Sequence, residues 1–166
     1  MRAVALTAAL TFALDQMTKL AVVHGLGLIH LGRIEVIPPF LTFQMAWNQG
    51  MNFGLFAGDA VTTKWLLIVV AVAISGWVVW WMRRPGHSRL AQVSGGLLIG
   101  GAMGNVIDRI LYGAVADFLN MSCCGFDNPY AFNVADIAIF AGAIGLVLFT
   151  GEPKPPEGRS VKDRVT

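Results

Sequence analysis

The chain has 166 residues, 55% of them hydrophobic and only 13% charged, with a formal net charge of +2 and a mean hydropathy of +0.63. A soluble domain carries about 25% charged residues, so the composition excludes an ordinary soluble domain and points to a polytopic membrane protein. The small net charge, with its basic residues gathered at a few places, argues against a nucleic-acid partner.

A membrane-crossing helix needs about 20 mostly apolar residues, and four segments qualify: 3–23, 62–82, 90–111 and 133–149. The first, "MRAVALTAALTFALDQMTKLAVV", opens like a cleavable signal peptide, with a basic residue and an apolar run. Asp15 and Lys19 stand where a small-residue cleavage site belongs, and apolar sequence resumes after them, so a retained helix with a polar outer end is expected. The two are four residues apart and share a helix face; the plain alternative is a snorkelling lysine beside a paired acid.

Between the first two spans, "GRIEVIPPFLTFQMAWNQGMNFGLFAG" changes character. Residues 33–37 and 41–47 read as two short strands around a Pro-Pro pair that cannot continue a ladder. Gly50 and Gly54 offer turns, and a short amphipathic helix is expected over 52–57. Phe40, Phe43, Trp47, Phe53 and Phe56 would rest at the bilayer surface, or serve as plain hydrophobic packing. The "WVVWW" run from Trp77 to Trp81 reads as lipid-facing and interfacial.

The third span ends in "GNVIDRILYGAVADFLN", where Asn105, Asp108 and Arg109 have i, i+3, i+4 spacing and Asp117 follows on an expected loop. The fourth begins with Asn133 and Asp136, spaced i, i+3, so each set faces one way. Cys123 and Cys124 are adjacent in a loop expected outside the cytoplasm, where oxidation is possible; a vicinal disulfide would be strained, and free thiols or a local family idiosyncrasy are favoured over a nucleophile. The tail "GEPKPPEGRSVKDRVT" reads as disordered. One integral-membrane domain over 1–151 and a cytoplasmic tail over 152–166 are therefore expected.

The basic residues orient the spans. Arg2, Arg83, Arg84, Arg89, Lys154, Arg159, Lys162 and Arg164, eight of the 12 Lys and Arg, fall on one side, which the positive-inside rule makes cytoplasmic. Both termini should then be inside, and Asp15, Lys19, Asn48, Asn105, Asp108, Arg109, Asp117, Asn133 and Asp136 should all lie near the outer leaflet. Charges at membrane depth cost several kcal/mol unless paired, so one cluster inside the bundle is the economical arrangement. On these grounds alone, an Asp117/Asp136 pair competes with purely structural helix-end polar groups.

"DQMTK", "NQGMNFG", "GNVIDRILYGAVADF" and "FNVADIAI" resemble, in order, the signature blocks of bacterial lipoprotein signal peptidase, the type II signal peptidases. The resemblance runs from Asp15 to Ile139. It implies a protein of the inner membrane with four transmembrane helices; with the strands and short helix read above, the expected fold is an all-α membrane protein with a small extracytoplasmic β-sheet and a short amphipathic helix. It further implies an aspartic endopeptidase that removes the signal peptide from prolipoproteins just before a diacylglyceryl-modified Cys, bound by the inhibitor globomycin. By the same resemblance Asp117 and Asp136 are the catalytic pair, and Asp15, Lys19, Asn48, Gly50, Gly104, Asn105, Asp108, Arg109, Asn133 and Ala135 match supporting or substrate-binding positions. Met51 and Asn52 depart from the small residues more usual after that glycine.

The residues suit this chemistry on their own terms. Two close carboxylates in a dry site divide into one ionised and one protonated group and titrate as a unit. Asn105, Asn133 and Arg109 are suitable donors, and Asp108 reads as the partner of Arg109 or a polar support. Ser94, Ser122 and Ser160 lack a convergent His and Asp, while His24, His30 and His87 lack metal-ligand spacing, so no cofactor or metal is expected. A diacylglyceryl prolipoprotein and membrane lipid are the expected partners, and the chain is expected to act as a monomer. A proton-coupled carrier is the rival class, against which stands the absence of acids in the cytoplasmic half of any span. A noncatalytic scaffold would leave the cost of the polar groups unexplained.

Overall fold

In α1 (Arg2–Lys19) the buried positions Val4, Thr11, Asp15 and Lys19 share one face, while Leu6, Leu10, Leu14 and Met17 stand exposed on another. That division is a helix with its apolar stripe turned outward, the pattern of a helix facing lipid rather than water. The computed structural model describes residues 1–50, 60–125 and 128–150. α1 passes into a π-helical stretch, Leu20–Gly25, and a single helical turn, α2 (Leu28–Leu31). The remaining helices are α3 (Ala60–Met82), α4 (Arg89–Tyr112) and α5 (Val134–Phe149).

Three helical stretches, Arg2–Gly25, Val61–Met82 and Arg89–Tyr112, are long and apolar enough to cross a membrane. α5, expected as a fourth span, is apolar but has 16 residues. The helix expected over 52–57, Phe53, Phe56 and the tail lie outside the described residues.

α4 packs against α1, α3 and α5, and small residues let it do so. A side chain at Gly96 or Gly100 would run into the α1 backbone at Val4 and Ala8, and one at Gly101 would meet the α5 backbone at Ala135. Such close approaches give helices dispersion contact where lipid offers no hydrophobic drive to associate. α4 starts at Ser88, whose hydroxyl accepts from Ala91 N–H at 3.1 Å. It stops at Gly113, which takes the left-handed conformation (φ 81°) of a helix C-cap.

The sheet is larger than the two strands legible in advance. β1 (Arg33–Ile37) and β2 (Leu41–Asn48) match the expected segments, and β3 (Val115–Met121) completes an antiparallel sheet of order β1-β2-β3. Asp117 is therefore on a strand and not on a loop. The residues from Val115 to Phe118 are all buried, so β3 shows none of the alternation that marks a half-exposed strand.

Two apolar clusters bracket the molecule. Val4, Val78, Met82, Leu98 and Leu146 form one, and Val22, Val23, Leu28, Ala116 and Phe118 form the other beneath the sheet. Since α1 contributes Val4 to the first and leads into Val22 and Val23 of the second, Asp15 and Lys19 fall in a polar layer between them. Phe43 packs edge-on against Phe118, with ring centroids 6.0 Å apart. Phe40 and Trp47 are exposed, as are Trp77 and Trp80.

Candidate active site

The first turn of α5 fixes one carboxylate. Asn133 is the N-cap: its side-chain oxygen accepts from Asp136 N–H at 2.9 Å, and the Asp136 carboxylate accepts from Asn133 N–H at 3.2 Å. This reciprocal capping box satisfies two otherwise orphaned helix donors. It holds Oδ2 of Asp136 and leaves Oδ1 for Asn105, whose Nδ2 donates to it at 2.9 Å.

Strand pairing fixes the other. β2 and β3 pair Ala46 with Asp117 and Asn48 with Val115, after a bulge between Phe43 and Ala46 that shifts the register by one residue. A bulge re-aims the side chains beyond it, and here Asn48 Nδ2 donates to Asp117 Oδ2 at 3.0 Å. Asn48 is itself held by Gly50 N–H, which donates to its Oδ1 at 2.9 Å. Asn133 Nδ2 donates to Asp117 Oδ1 at 2.6 Å and to Asn105 Oδ1 at 3.3 Å. Asp117 and Asp136 are thus joined through two carboxamides, Asn133 and Asn105.

Beneath the carboxamides lies an ion network. Lys19 Nζ is 2.8 Å from Asp15 Oδ2 and 2.7 Å from Asp108 Oδ2, and all three residues are buried. Lys19 is not a snorkelling interfacial lysine. Asp108 is the partner of Lys19 and not of Arg109, because adjacent helical residues diverge and do not face each other. Arg109 Nη1 donates to the Asn105 carbonyl at 3.3 Å, and among the described residues it forms no ion pair. Ala135 N–H donates to Asp15 Oδ1 at 2.9 Å, and a side chain at Gly104 would collide with the Asp15 carboxylate. Gln16, which sequence reasoning passed over inside "DQMTK", donates to Asp15 Oδ2 and to Asp108 Oδ1, each at 3.1 Å. Its position beside Asp15 was the available signal.

Burial pushes the Asp117 carboxyl up to about 7, reinforced by the neighbouring Asp136 and opposed by the donors Asn48 and Asn133 and by Lys19. A group there gains or loses its proton near neutrality, as acid–base work requires. Arg109 and Asn105 also cap an apolar groove of about 330 Å³ lined by Leu67, Val70, Ile74 and Ile139. Among the described residues no group of three or more His, Cys, Asp or Glu is placed to hold a metal ion. Cys123 and Cys124 form a vicinal disulfide, a state the sequence left open; Cys124 takes a positive φ of 59°, so the backbone turns at the pair.

This geometry can be set beside known proteins. The family profile described as signal peptidase (SPase) II matches residues 7–150. The chain belongs to the signal peptidase II family. Its relatives include the lipoprotein signal peptidase of Methylobacterium radiotolerans, 43% identical over 99% of this chain and 92% of that protein. That of Burkholderia mallei is 36% identical over 80% of this chain and 78% of its own length. Two solved structures titled as bacterial membrane enzymes share the fold: one at TM-score 0.76 and 28% identity, covering 92% of this chain and 94% of the other. The second has TM-score 0.73 and 29% identity, with 89% and 87% covered. Membership makes the chain a peptidase of the membrane, and its relatives carry the name of lipoprotein processing.

Proposed function

We propose that the protein is an aspartic endopeptidase that cleaves diacylglyceryl prolipoproteins immediately before the lipidated Cys, with Asp117 and Asp136 as its catalytic pair. The observation that carries this reading is the joining of the two carboxylates through Asn133 and Asn105, with Asp117 pushed up to about 7. The pair holds one proton between them, with Asp117 its favoured seat. One carboxylate takes a proton from water as the oxygen attacks the scissile carbonyl carbon. The other donates a hydrogen bond to the carbonyl oxygen, and a proton then passes to the leaving amide nitrogen. No metal enters the reaction.

In this reading α5 is the fourth span, both termini and the Met82 to Arg89 loop are cytoplasmic, and the pair faces the outer leaflet of the bacterial inner membrane. The groove under Arg109 and Asn105 takes apolar substrate. Purified protein in lipid should cleave a lipidated precursor, and Asp117→Asn and Asp136→Asn should each remove nearly all turnover. The double variant should be little worse than either single one, since groups acting as a unit are not additive. Substantial cleavage by the double variant would falsify the assignment, and solute or ion flux without peptide cleavage by the parent would favour a carrier.

A further inference from the structure

Neither member of the carboxylate pair is gripped only by its own side chain. The amide preceding Asp117, Ala116 N–H, donates to Asp108 Oδ2 at 3.2 Å. The amide preceding Asp136, Ala135 N–H, donates to Asp15 Oδ1 at 2.9 Å. The two acceptors come from different helices, α4 and α1, and hold a strand and a helix that share no covalent neighbour. A single ammonium joins them, since Lys19 Nζ contacts Asp15 Oδ2 at 2.8 Å and Asp108 Oδ2 at 2.7 Å.

The third hydrogen of Lys19 reaches Asn105 Oδ1 at 3.4 Å, and Asn105 Nδ2 in turn holds Asp136. An ammonium has three donors and no acceptor, and here each donor ends one step from the pair. All three ionic groups are almost wholly shielded from solvent, with Lys19 at 6%, Asp108 at 1% and Asp15 at 0% exposure. Water therefore does little to weaken the link, and removing the cation would leave two buried carboxylates repelling each other.

Resting on the proposed role of Asp117 and Asp136, we propose that Lys19 is a positioning residue that sets the distance and orientation of that pair. It does so by binding together Asp15 and Asp108, each of which holds the backbone next to one member. Its hydrogen bonds and ion pairs go to Asp15, Asp108 and Asn105 and to neither member of the pair, so its effect belongs to the chemical step. Misplacing reacting groups by about 1 Å can cost on the order of 100-fold in rate, and losing the ammonium frees the anchors of both members at once.

The test compares Lys19→Met, Lys19→Arg and the parent in lipid, counting turnover per folded molecule. Lys19→Met should lower kcat by about 100-fold with KM within about twofold, and Lys19→Arg should recover part of the loss. Hydrogen exchange at the Ala116 and Ala135 amides should quicken in Lys19→Met. The alkaline limb of its residual pH profile should also move upward, because a cation facing Asp117 is gone while Asp136, Asp108 and Arg109 remain around it. A role confined to folding would lower only the yield of folded protein and leave kcat per molecule and the pH profile unchanged; that result overturns the proposal. If Lys19→Met does not fold, Lys19→Met/Asp108→Asn carries the test, since it removes the like-charge repulsion and keeps a carbonyl acceptor for Ala116 N–H. Parental kcat in that double variant also overturns it. Cleavage surviving Asp117→Asn would instead mean that the reading of the pair had failed, whereas faster exchange at both amides reports on the clamp by itself.

Discussion

Replacing Asp117 by Asn separates charge from shape, and the consequence for stability has a definite sign. Unfolded, the carboxyl ionises near 3.8; folded, it does so at about 7. Between those values the folded chain holds a proton that the unfolded chain has released. Stability from this group is therefore full below about pH 4 and declines as pH rises to about 7, then levels off. At about 1.4 kcal/mol per tenfold, the full difference is on the order of 4 kcal/mol, and water at the edge of the site brings it to about 2 kcal/mol. For a chain of this size that is about 4–8 °C of melting temperature. Thermal unfolding in detergent micelles, followed by tryptophan fluorescence at pH 4 and pH 8, measures it. Groups outside the pair titrate alike in parent and Asp117→Asn, so the parent should lose about 4–8 °C more than the variant over this range. Parallel profiles would mean that Asp117 is an ordinary carboxylate and would remove the main electrostatic support for its protonated role.

Gly104→Ala should destabilise by about 1–3 kcal/mol and lower turnover, because the new methyl group displaces the Asp15 carboxylate; Gly76→Ala, with nothing within 4 Å of the added atom, should be neutral or slightly stabilising in the same unfolding assay. The Cys123→Ser/Cys124→Ser double variant should cleave at a rate within about twofold of the parent, since only carboxylates and amides make up the proposed site. Cleavage should likewise persist in excess chelator, and its recovery only on adding back one metal would refute the metal-free chemistry.

The parts legible in the sequence were those with a local pattern. The apolar runs located the helices, and the alternating segments around Pro38 and Pro39 located β1 and β2. The i, i+3 and i, i+4 spacings on α1, α4 and α5 anticipated that the polar side chains would gather. β3 was hidden because consecutive buried residues carry no period. The Lys19–Asp108 pair was hidden because it joins helices 89 positions apart in the chain, while Arg109 offered a nearer and misleading neighbour to Asp108. The backbone donors Ala116 and Ala135 left no trace, since an amide's partner depends on where the chain goes and not on which residue it belongs to.

The length of α5 has a bearing on the membrane itself. Sixteen residues at about 1.5 Å each span about 24 Å, whereas the hydrocarbon slab is about 30 Å thick. As the proposed fourth span, this helix either thins the bilayer around it or starts below the polar boundary, and Asp136 is in that first turn. Hydrophobic mismatch costs fractions of a kcal/mol per Å, so the depth of the carboxylates becomes a property shared by the chain and its lipids. On the proposed function, a scissile bond anchored by acyl chains approaches from the same slab, so acyl-chain length acts on enzyme and substrate at once.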